Sequence, residues 1–359
     1  MHNTSLPPVI VGMSGGVDSS AAAFLLKEQG YPVTGVTMRM WQPDEMNIPG
    51  TDLFPEAEDA KKVAEVLGIP HIVLDFRQEF SSQVIQNFVS EYRKGRTPNP
   101  CIVCNRHVKW EALLQKSREL GAEYIATGHY AGIIQLENGR YAIRNAASSQ
   151  KDQTYALYRL TQEQLSRTLM PVGEYTKEQI RQIAEKAGLP VAGKKDSQEI
   201  CFVPDGDYAA YVERAAGFIS EPGNFVTPQG EILGRHRGII HYTVGQRRGL
   251  DLPMGRRVFV TEIRPETNEV VVGEQEDVWT RSLRAERLCF MGIPPMDIGE
   301  EGCFLVKIRY NHKGSSALVR RTGEDEITCI FDEPVKAVTP GQAAVLYRDG
   351  YVAAGGTIC

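Results

Sequence analysis

Several things are missing from this chain, and each absence narrows its class. No stretch of its 359 residues approaches the roughly 18 to 20 apolar residues that a bilayer span needs. With 42% hydrophobic and 24% charged residues, it also lacks the composition of a disordered protein. The opening residues MHNTSLPPVIVG hold no basic segment followed by an apolar run. No secretory leader is therefore expected, and the expected location is cytoplasmic, with no membrane partner. Cysteine is sparse: seven scattered residues are too few for a disulfide-stapled secreted protein and are better read one at a time. Excess positive charge is absent as well. A formal net charge of −5 exerts no global pull on nucleic acid, so such binding must come from local basic patches. Repeats and low-complexity tracts are missing too. What remains is length for two or three domains, each able to bury a core.

The first informative stretch is VIVGMSGGVDSSAAAFLL. Val9, Ile10 and Val11 predict a buried strand, and Ala21 to Leu26 predict a helix that ends at Gly30. Between them runs Gly12-Met13-Ser14-Gly15-Gly16-Val17-Asp18-Ser19. Glycine permits a sharp turn and close approach of a ligand. Successive N–H groups at a helix start, aided by the helix dipole, cradle an anion. The loop lacks the lysine that closes the Walker pattern GxxxxGK. A turn that grips the pyrophosphate end through amides and serine hydroxyls suits cleavage between the α- and β-phosphates of ATP, giving AMP and pyrophosphate. A glycine-rich connector without a ligand is the plain alternative. The string SGGVDS resembles the signature of the PP-loop ATP pyrophosphatases, a likeness that covers the N-terminal half. Members of that superfamily adenylate a carbonyl oxygen and let a nucleophile displace AMP. They include amide-forming ligases and tRNA-thiolating enzymes.

The same half alternates strands and helices. Val33 to Met38, Ile72 to Phe76 and Tyr124 to Thr127 predict strands, while Pro55 to Leu67 and Phe80 to Tyr92 predict amphipathic helices. That is a doubly wound α/β pattern, in which ligands bind beyond the carboxyl ends of parallel strands. Ser14, Met38 and Gly128 would all lie there, although Met38 reads equally as a core methionine and His129 as a hydrogen-bonded loop residue.

The stretch GRTPNPCIVCNRHVKW carries the second motif. Pro98 and Pro100 stop a helix, and Asn105 is expected to cap a new one that begins at Arg106, His107 and Lys109. Cys101 and Cys104 then lie at or just before a helix N-terminus. With Arg106 and Lys109 nearby, that setting favours a reactive thiolate. A zinc half-site is the alternative, but no second CxxC or HxxxH completes a four-ligand set. A third cysteine, Cys201, sits in GKKDSQEICFVPDGDY after Lys194, Lys195 and Asp196, in a polar stretch that reads as a mobile loop. Two thiols suit sulfur chemistry, one carrying sulfur as a persulfide and the other attacking it or accepting a disulfide. Cys289, Cys303 and Cys329 fall in strand-like segments and Cys359 ends the sequence, so packing or incidental roles are expected for these four.

SGGVDSS, TPNPCIVCN, ATGHYA, KDQTYALYRL and DSQEICF, in this order along the whole length, resemble the tRNA-specific 2-thiouridylases. The resemblance implies adenylation of O2 of the wobble uridine of tRNA by ATP, with magnesium, followed by transfer of persulfide sulfur to C2. It implies that Gly12 to Ser19, Met38 and Gly128 hold ATP, that Cys104 is the nucleophile and that Cys201 carries the persulfide. It also implies that Asn99, Pro100 and Cys101, Lys151, Asp152 and Gln153, His129, Arg309, Tyr310 and Gln342 address tRNA. A sulfur-donor protein, either a cysteine desulfurase or a relay protein, is implied as partner. One departure stands out: many relatives carry aspartate where this chain has Cys101. Cys101 is then either a spare thiol or, with Cys104 and Cys201, a ligand of a [4Fe-4S] cluster with one open iron.

After about Pro204 the character changes. The stretch Gly234 to Arg257 holds six arginines and two histidines against one aspartate, a basic patch that fits phosphate contact or, alternatively, a solvated hairpin. From Arg281, alternating segments at Phe304 to Tyr310, Ala317 to Arg321, Glu326 to Phe331 and Ala343 to Tyr347 predict a small antiparallel β-barrel. The expected architecture is a doubly wound parallel sheet over 1–203, a small central tRNA-binding domain over 204–280 and a β-barrel over 281–359. An amide-forming ligase that needs no cysteine, or a binding protein without turnover, are the rival classes.

Overall fold

The computed structural model describes residues 6–41, 54–194 and 200–359. The chain divides into two compact units, one built from 1–84, 101–202 and 350–352, the other from 85–100, 203–349 and 353–359.

The first unit is organised by β1 (Val9–Gly12), α1 (Val17–Glu28), β2 (Val33–Arg39), α2 (Pro55–Leu67) and β3 (His71–Asp75). Proline at its first position and Gly68 at its end, in a left-handed conformation with φ 61°, bound α2. The expected helix over Phe80 to Tyr92 is a composite: α3 (Arg77–Glu79), a π-helical stretch at Phe80–Ile85, then α4 (Gln86–Arg93), which leads into the second unit. Next come α5 (Pro100–Cys104), a π-helical stretch over Asn105–Ala112, α6 (Leu113–Glu119) and β4 (Tyr124–Ala126). The hairpin of β5 (Gly132–Gln135) and β6 (Tyr141–Arg144), then α7 (Gln162–Ser166), β7 (Thr168–Leu169) and α8 (Lys177–Lys186) complete the unit. Its parallel sheet has the order β3-β2-β1-β4-β7. The direction of winding reverses at β1 and β4, which opens a crevice beyond their carboxyl ends. Around the sheet, Val9, Val11, Ala21, Ala22, Ala60, Val63, Ile180 and Ala184 form one buried core.

Asn105 does not cap a helix. Pro100 starts the helix instead, since its missing N–H is no loss at a first position. Asn105 is buried inside the continuous helical run, where its Nδ2 donates to the Ala156 carbonyl at 3.0 Å. Cys101 and Cys104 therefore sit within the first turns of the helix rather than ahead of it.

In the second unit, α9 (Tyr208–Ala216) precedes β8 (Gly223–Val226), β9 (Ile232–His236), β10 (Phe259–Arg264) and β11 (Glu269–Gly273), which form a sheet in the order β10-β11-β8-β9 around Phe225, Val260, Val270 and Val272. The arginine-rich stretch is not a hairpin. Only its start belongs to β9; a short 3₁₀ turn at Ile239–His241 follows, and the remainder runs without regular structure to Val258. Beyond it, β12 (Trp279–Phe290), β13 (Glu301–Lys307), β14 (Ser315–Gly323), β15 (Glu326–Lys336), β16 (Ala343–Arg348) and β17 (Tyr351–Ile358) follow. The order β12-β15-β14-β13-β16-β17, with β17 pairing back onto β12, closes the expected antiparallel barrel. Alternation of buried with more exposed residues through β14 and over Glu326 to Asp332 of β15 places Val319, Cys329 and Phe331 inside.

Candidate active site

The loop after β1 is shaped by backbone demands. Gly15 has φ +65°, and a Cβ there would fall 2.7 Å from the Glu56 carbonyl, so only glycine fits. Gly16 is the N-cap of α1, and no side chain caps that helix. The amides of its first turn are left for an external acceptor, with the dipole behind them. Ser14 N donates to Ser19 Oγ at 3.2 Å, and the two serine hydroxyls lie 3.3 Å apart. Ser14 is exposed and Ser19 is buried beneath it. Met13 and Val17 are core residues, 2% and 3% exposed.

Two further strand ends meet this loop. The Met38 methyl lies 3.5 Å from where a Cβ on Gly12 would be, and a Cβ on Gly128 would fall 2.5 Å from the Ser19 nitrogen. Gly12, Met38 and Gly128 thus converge on the start of α1, as the sheet order requires. The lysine that the loop itself lacks comes from far along the chain: Lys194 Nζ lies 3.1 Å from the Gly15 carbonyl and 2.8 Å from Asp59 Oδ2. That hydrogen bond holds the Asp59 carboxyl below its usual value. Nothing in the spacing of Lys194 marked it for this place, although it heads the polar stretch before Cys201. Lys195 and Asp196 lie outside the described residues. Asp18 is held from two sides, by Lys177 Nζ at 2.8 Å from both carboxylate oxygens and by the Tyr130 hydroxyl at 2.7 Å.

The thiols differ from expectation. All seven cysteines are free. Cys104 is buried, with its Sγ 3.8 Å from the Met40 sulfur. Its thiol is pushed up to about 12, chiefly by desolvation, while Lys109 opposes the rise and Cys201 and Cys101 add to it. Cys201 is exposed, yet enough protein surrounds it that desolvation raises its thiol too, again against Lys109. The charges of Lys109 and of the other thiols thus act on Cys104, and those of Lys109 and Cys101 act on Cys201. The expected thiolate-favouring environment is overturned, because loss of hydration outweighs one cation. Arg106, the other expected cation, turns to Gln164 Oε1 at 2.8 Å.

His129 shares a 2.9 Å hydrogen bond with Thr127 Oγ1 and lies 5.4 Å from the Trp110 ring. Burial and the Lys109 charge push it down to about 3, so it is neutral at physiological pH. Gln153 Oε1 accepts from Tyr130 N at 2.8 Å, and the Asp152 carboxylate accepts from the amides of Ala146 and Thr154. These contacts fix the Lys151 to Gln153 turn against the segment that follows β4. In the second unit, Asn99 is half-buried and Pro100 buried. Gln342 Nε2 donates to the Thr97 carbonyl at 2.9 Å. Arg309 and Tyr310 lie just past β13; Arg309 Nη1 donates to the Lys336 carbonyl at 2.9 Å, and Tyr310 is 43% exposed. All six arginines of the basic stretch are exposed. Arg235 contacts Asn224 and Arg256 pairs with Glu274, whereas Arg237, Arg247, Arg248 and Arg257 have no ion-pair partner among the described residues. His236 takes no part in that surface. It is buried, bonded to Asn268 O and Gly238 N, and held below its usual value by desolvation.

Three family models match the chain: a tRNA methyl transferase HUP domain over 7–205, a tRNA methyl transferase PRC-barrel domain over 212–274 and an aminomethyltransferase beta-barrel domain over 280–358. The tRNA-specific 2-thiouridylase MnmA of Lachnoclostridium phytofermentans is 56% identical over 354 residues, covering 98% of this chain and 99% of the relative. That of Clostridioides difficile is 49% identical over 353 residues, covering 98% and 97%. Among solved structures, a 4-thiouridine synthetase–RNA complex with bound ATP is 16% identical, covers 59% of this chain and 50% of the other, and has a TM-score of 0.35.

Proposed function

The chain belongs to the tRNA-specific 2-thiouridylase family, and from that premise we propose that it converts a tRNA uridine to 2-thiouridine with ATP, through a persulfide on Cys201 and a nucleophilic Cys104. The observation that carries this reading is the company of Cys104, Cys201 and Lys109 within the unit that also holds the uncapped start of α1. Uridine O2 attacks the α-phosphorus of ATP and pyrophosphate leaves. The terminal sulfur of the Cys201 persulfide then attacks C2 and AMP departs. Cys104 attacks the Cys201 sulfur, the S–S bond to the base breaks, 2-thiouridine is released and a Cys104–Cys201 disulfide remains for an external thiol to reduce. Holding tRNA and ATP in one site makes the attack effectively intramolecular.

The first-turn amides of α1, the Ser14 and Ser19 hydroxyls and Lys194 would grip the phosphates, with Gly12 to Ser19, Met38 and Gly128 lining the nucleotide. Magnesium would accompany ATP as the counter-cation of its phosphates. A [4Fe-4S] cluster does not fit the residues present. The Cys104 thiol is buried beside a methionine sulfur, and among the described residues no group of three or more His, Cys, Asp or Glu side chains is arranged to hold a metal ion.

Asn99, Pro100 and Cys101, and Lys151, Asp152 and Gln153, would address the target base or neighbouring tRNA, with His129 as another contact. Arg309, Tyr310, Gln342 and the unpaired arginines would follow the phosphodiester chain. A division of labour among 1–203, 204–280 and 281–359, a cysteine desulfurase or relay protein as donor, and a cytoplasmic location belong to the same proposal. Among the described residues no helix is long and apolar enough to cross a membrane.

The test is incubation of anaerobically purified protein with ATP, magnesium, unmodified tRNA and a persulfide or sulfide source, then digestion and mass spectrometry for 2-thiouridine. Thiolation by the wild type that is lost in Cys104→Ala and Cys201→Ala is expected. Thiolation that survives both substitutions would overturn the assignment of roles, and AMP formation without any thionucleoside would overturn the reaction. Cys101→Ala reports whether the additional thiol matters.

A further inference from the structure

Lys177 occupies a place where a lysine is poorly accommodated. It is the first residue of α8, directly after the Thr176 cap, so its positive charge sits at the positive end of its own helix dipole. Its side chain is only 8% exposed. A buried ammonium in that position needs a reason, and the reason lies across the packed faces of α1 and α8. Both oxygens of Asp18 lie 2.8 Å from Lys177 Nζ, and the Tyr130 hydroxyl donates to Oδ1 at 2.7 Å. Asp18 is the one carboxylate of the phosphate-gripping loop Gly12 to Ser19. For stability alone, apolar groups in place of an ion pair buried at its lysine end are often no worse.

We propose that Lys177 and Tyr130 are positioning residues for ATP, acting through Asp18. They orient its carboxylate away from the phosphates and neutralise it, so that the first turn of α1 remains a net receptor for anions. The inference rests on the ATP-using reading above. Without Lys177, a free carboxylate in the first turn of α1 would repel the triphosphate and let the loop relax. Asp18 sits on the helix whose amides do the gripping, so the effect falls on ATP affinity rather than on sulfur transfer.

The experiment measures ATP binding to the full chain by calorimetry, KM for ATP and kcat in the thiolation assay, and the melting temperature. The variants are Lys177→Met, Lys177→Arg, Asp18→Asn, Tyr130→Phe and the Asp18→Asn/Lys177→Met double. Lys177→Met is expected to raise Kd and KM for ATP about tenfold or more, the usual scale for losing a charge-assisted hydrogen bond, with kcat within about threefold of wild type. Lys177→Arg should recover most of that loss. In the Asp18→Asn background, Lys177→Met should add little to the rise in Kd for ATP, because the carboxylate charge that it offsets is gone. Tyr130→Phe deletes one hydroxyl and should raise KM severalfold; if Lys177→Met does not fold, this variant decides alone. A lower melting temperature with unchanged Kd and KM would overturn the proposal, as would effects of Asp18→Asn and Lys177→Met that multiply. Failure of the wild type to bind ATP would instead overturn the underlying reading.

Discussion

Gly128→Ala adds one methyl group at the end of β4, yet it should cripple use of ATP. Gly128 lies so close to α1 that an added Cβ would fall 2.5 Å from Ser19 N, 2.6 Å from Asp18 C and 2.9 Å from Asp18 O. All three are backbone atoms of the first turn of α1, so no side-chain rotation relieves the contact. Ordinary contact with the nearest atom requires a retreat of about an ångström. The surroundings resist it, since Ala21, Ala22 and Ala126 pack at zero exposure on both sides. Overpacking of this kind costs about 1–3 kcal/mol, a fall of some degrees in melting temperature. The larger effect is on chemistry, because displacing a positioning group by about an ångström costs on the order of 10²-fold in rate. The assay is kcat/KM for ATP in tRNA thiolation, run beside thermal melting. Gly193→Ala is the control, since nothing lies within 4 Å of a Cβ there and its φ is ordinary. A Gly128→Ala enzyme with wild-type kcat/KM for ATP would refute the argument that the amides of α1 are the ATP grip.

Other perturbations test separate parts. Cys104 at about 12 against an ordinary 9.0 should be alkylated by iodoacetamide on the order of a thousandfold more slowly than a free thiol at pH 8, with exposed Cys101 and Cys303 labelled first in peptide mass spectra; equal labelling would contradict the burial. His129, lowered from 6.5 to about 3, is neutral when folded but protonates when unfolded. Its contribution is therefore complete above pH 6.5 and should decline by up to about 1.4 kcal/mol per pH unit between 6.5 and 3; denaturant titrations of wild type and His129→Phe across that window should differ in slope in this sense. Arg247→Ala and Arg248→Ala should each weaken tRNA binding and lower the salt slope by about 1, with KM for ATP unchanged; an unaltered slope would show that these arginines do not meet phosphate.

The parallel sheet was legible because its signals are local. Val9 to Val11 and Val33 to Met38 are rich in β-branched residues and Pro55 and Gly68 punctuate α2, so these elements appear within a residue or two of their places, while α1 begins at Val17, four residues before the expected Ala21. The barrel was legible through alternation, as in Ala317, Val319 and Arg321 around exposed Leu318 and Arg320. The composite helices were not. A π-helical stretch widens the turn without changing the apolar pattern enough to read, and Asn105 looks like a cap because its buried bond to Ala156 is made with a residue 51 positions away. Still longer separations, 179 and 159 positions, hid Lys194 and Lys177. The loop GMSGGVDS shows that it lacks a lysine, but not that one returns 179 positions later to the Gly15 carbonyl.

The cysteines show how this gap acts on chemistry. A helix start, Arg106 and Lys109 are all visible in the string PNPCIVCNRHVK, and each by itself lowers a thiol pKa. What the string cannot show is depth. Cys104 is 6% exposed, and Arg106 spends its charge on Gln164, which leaves Lys109 alone against the desolvation of the thiolate. Desolvation acts on the whole charge of the ion, whereas one half-buried ammonium in a partly wet site returns only part of it. The thiol is therefore kept protonated, and the sequence inventory of nearby cations gives the wrong sign. Lys109 is the residue on which that balance turns, because the same charge lowers Cys104, Cys201 and His129 together.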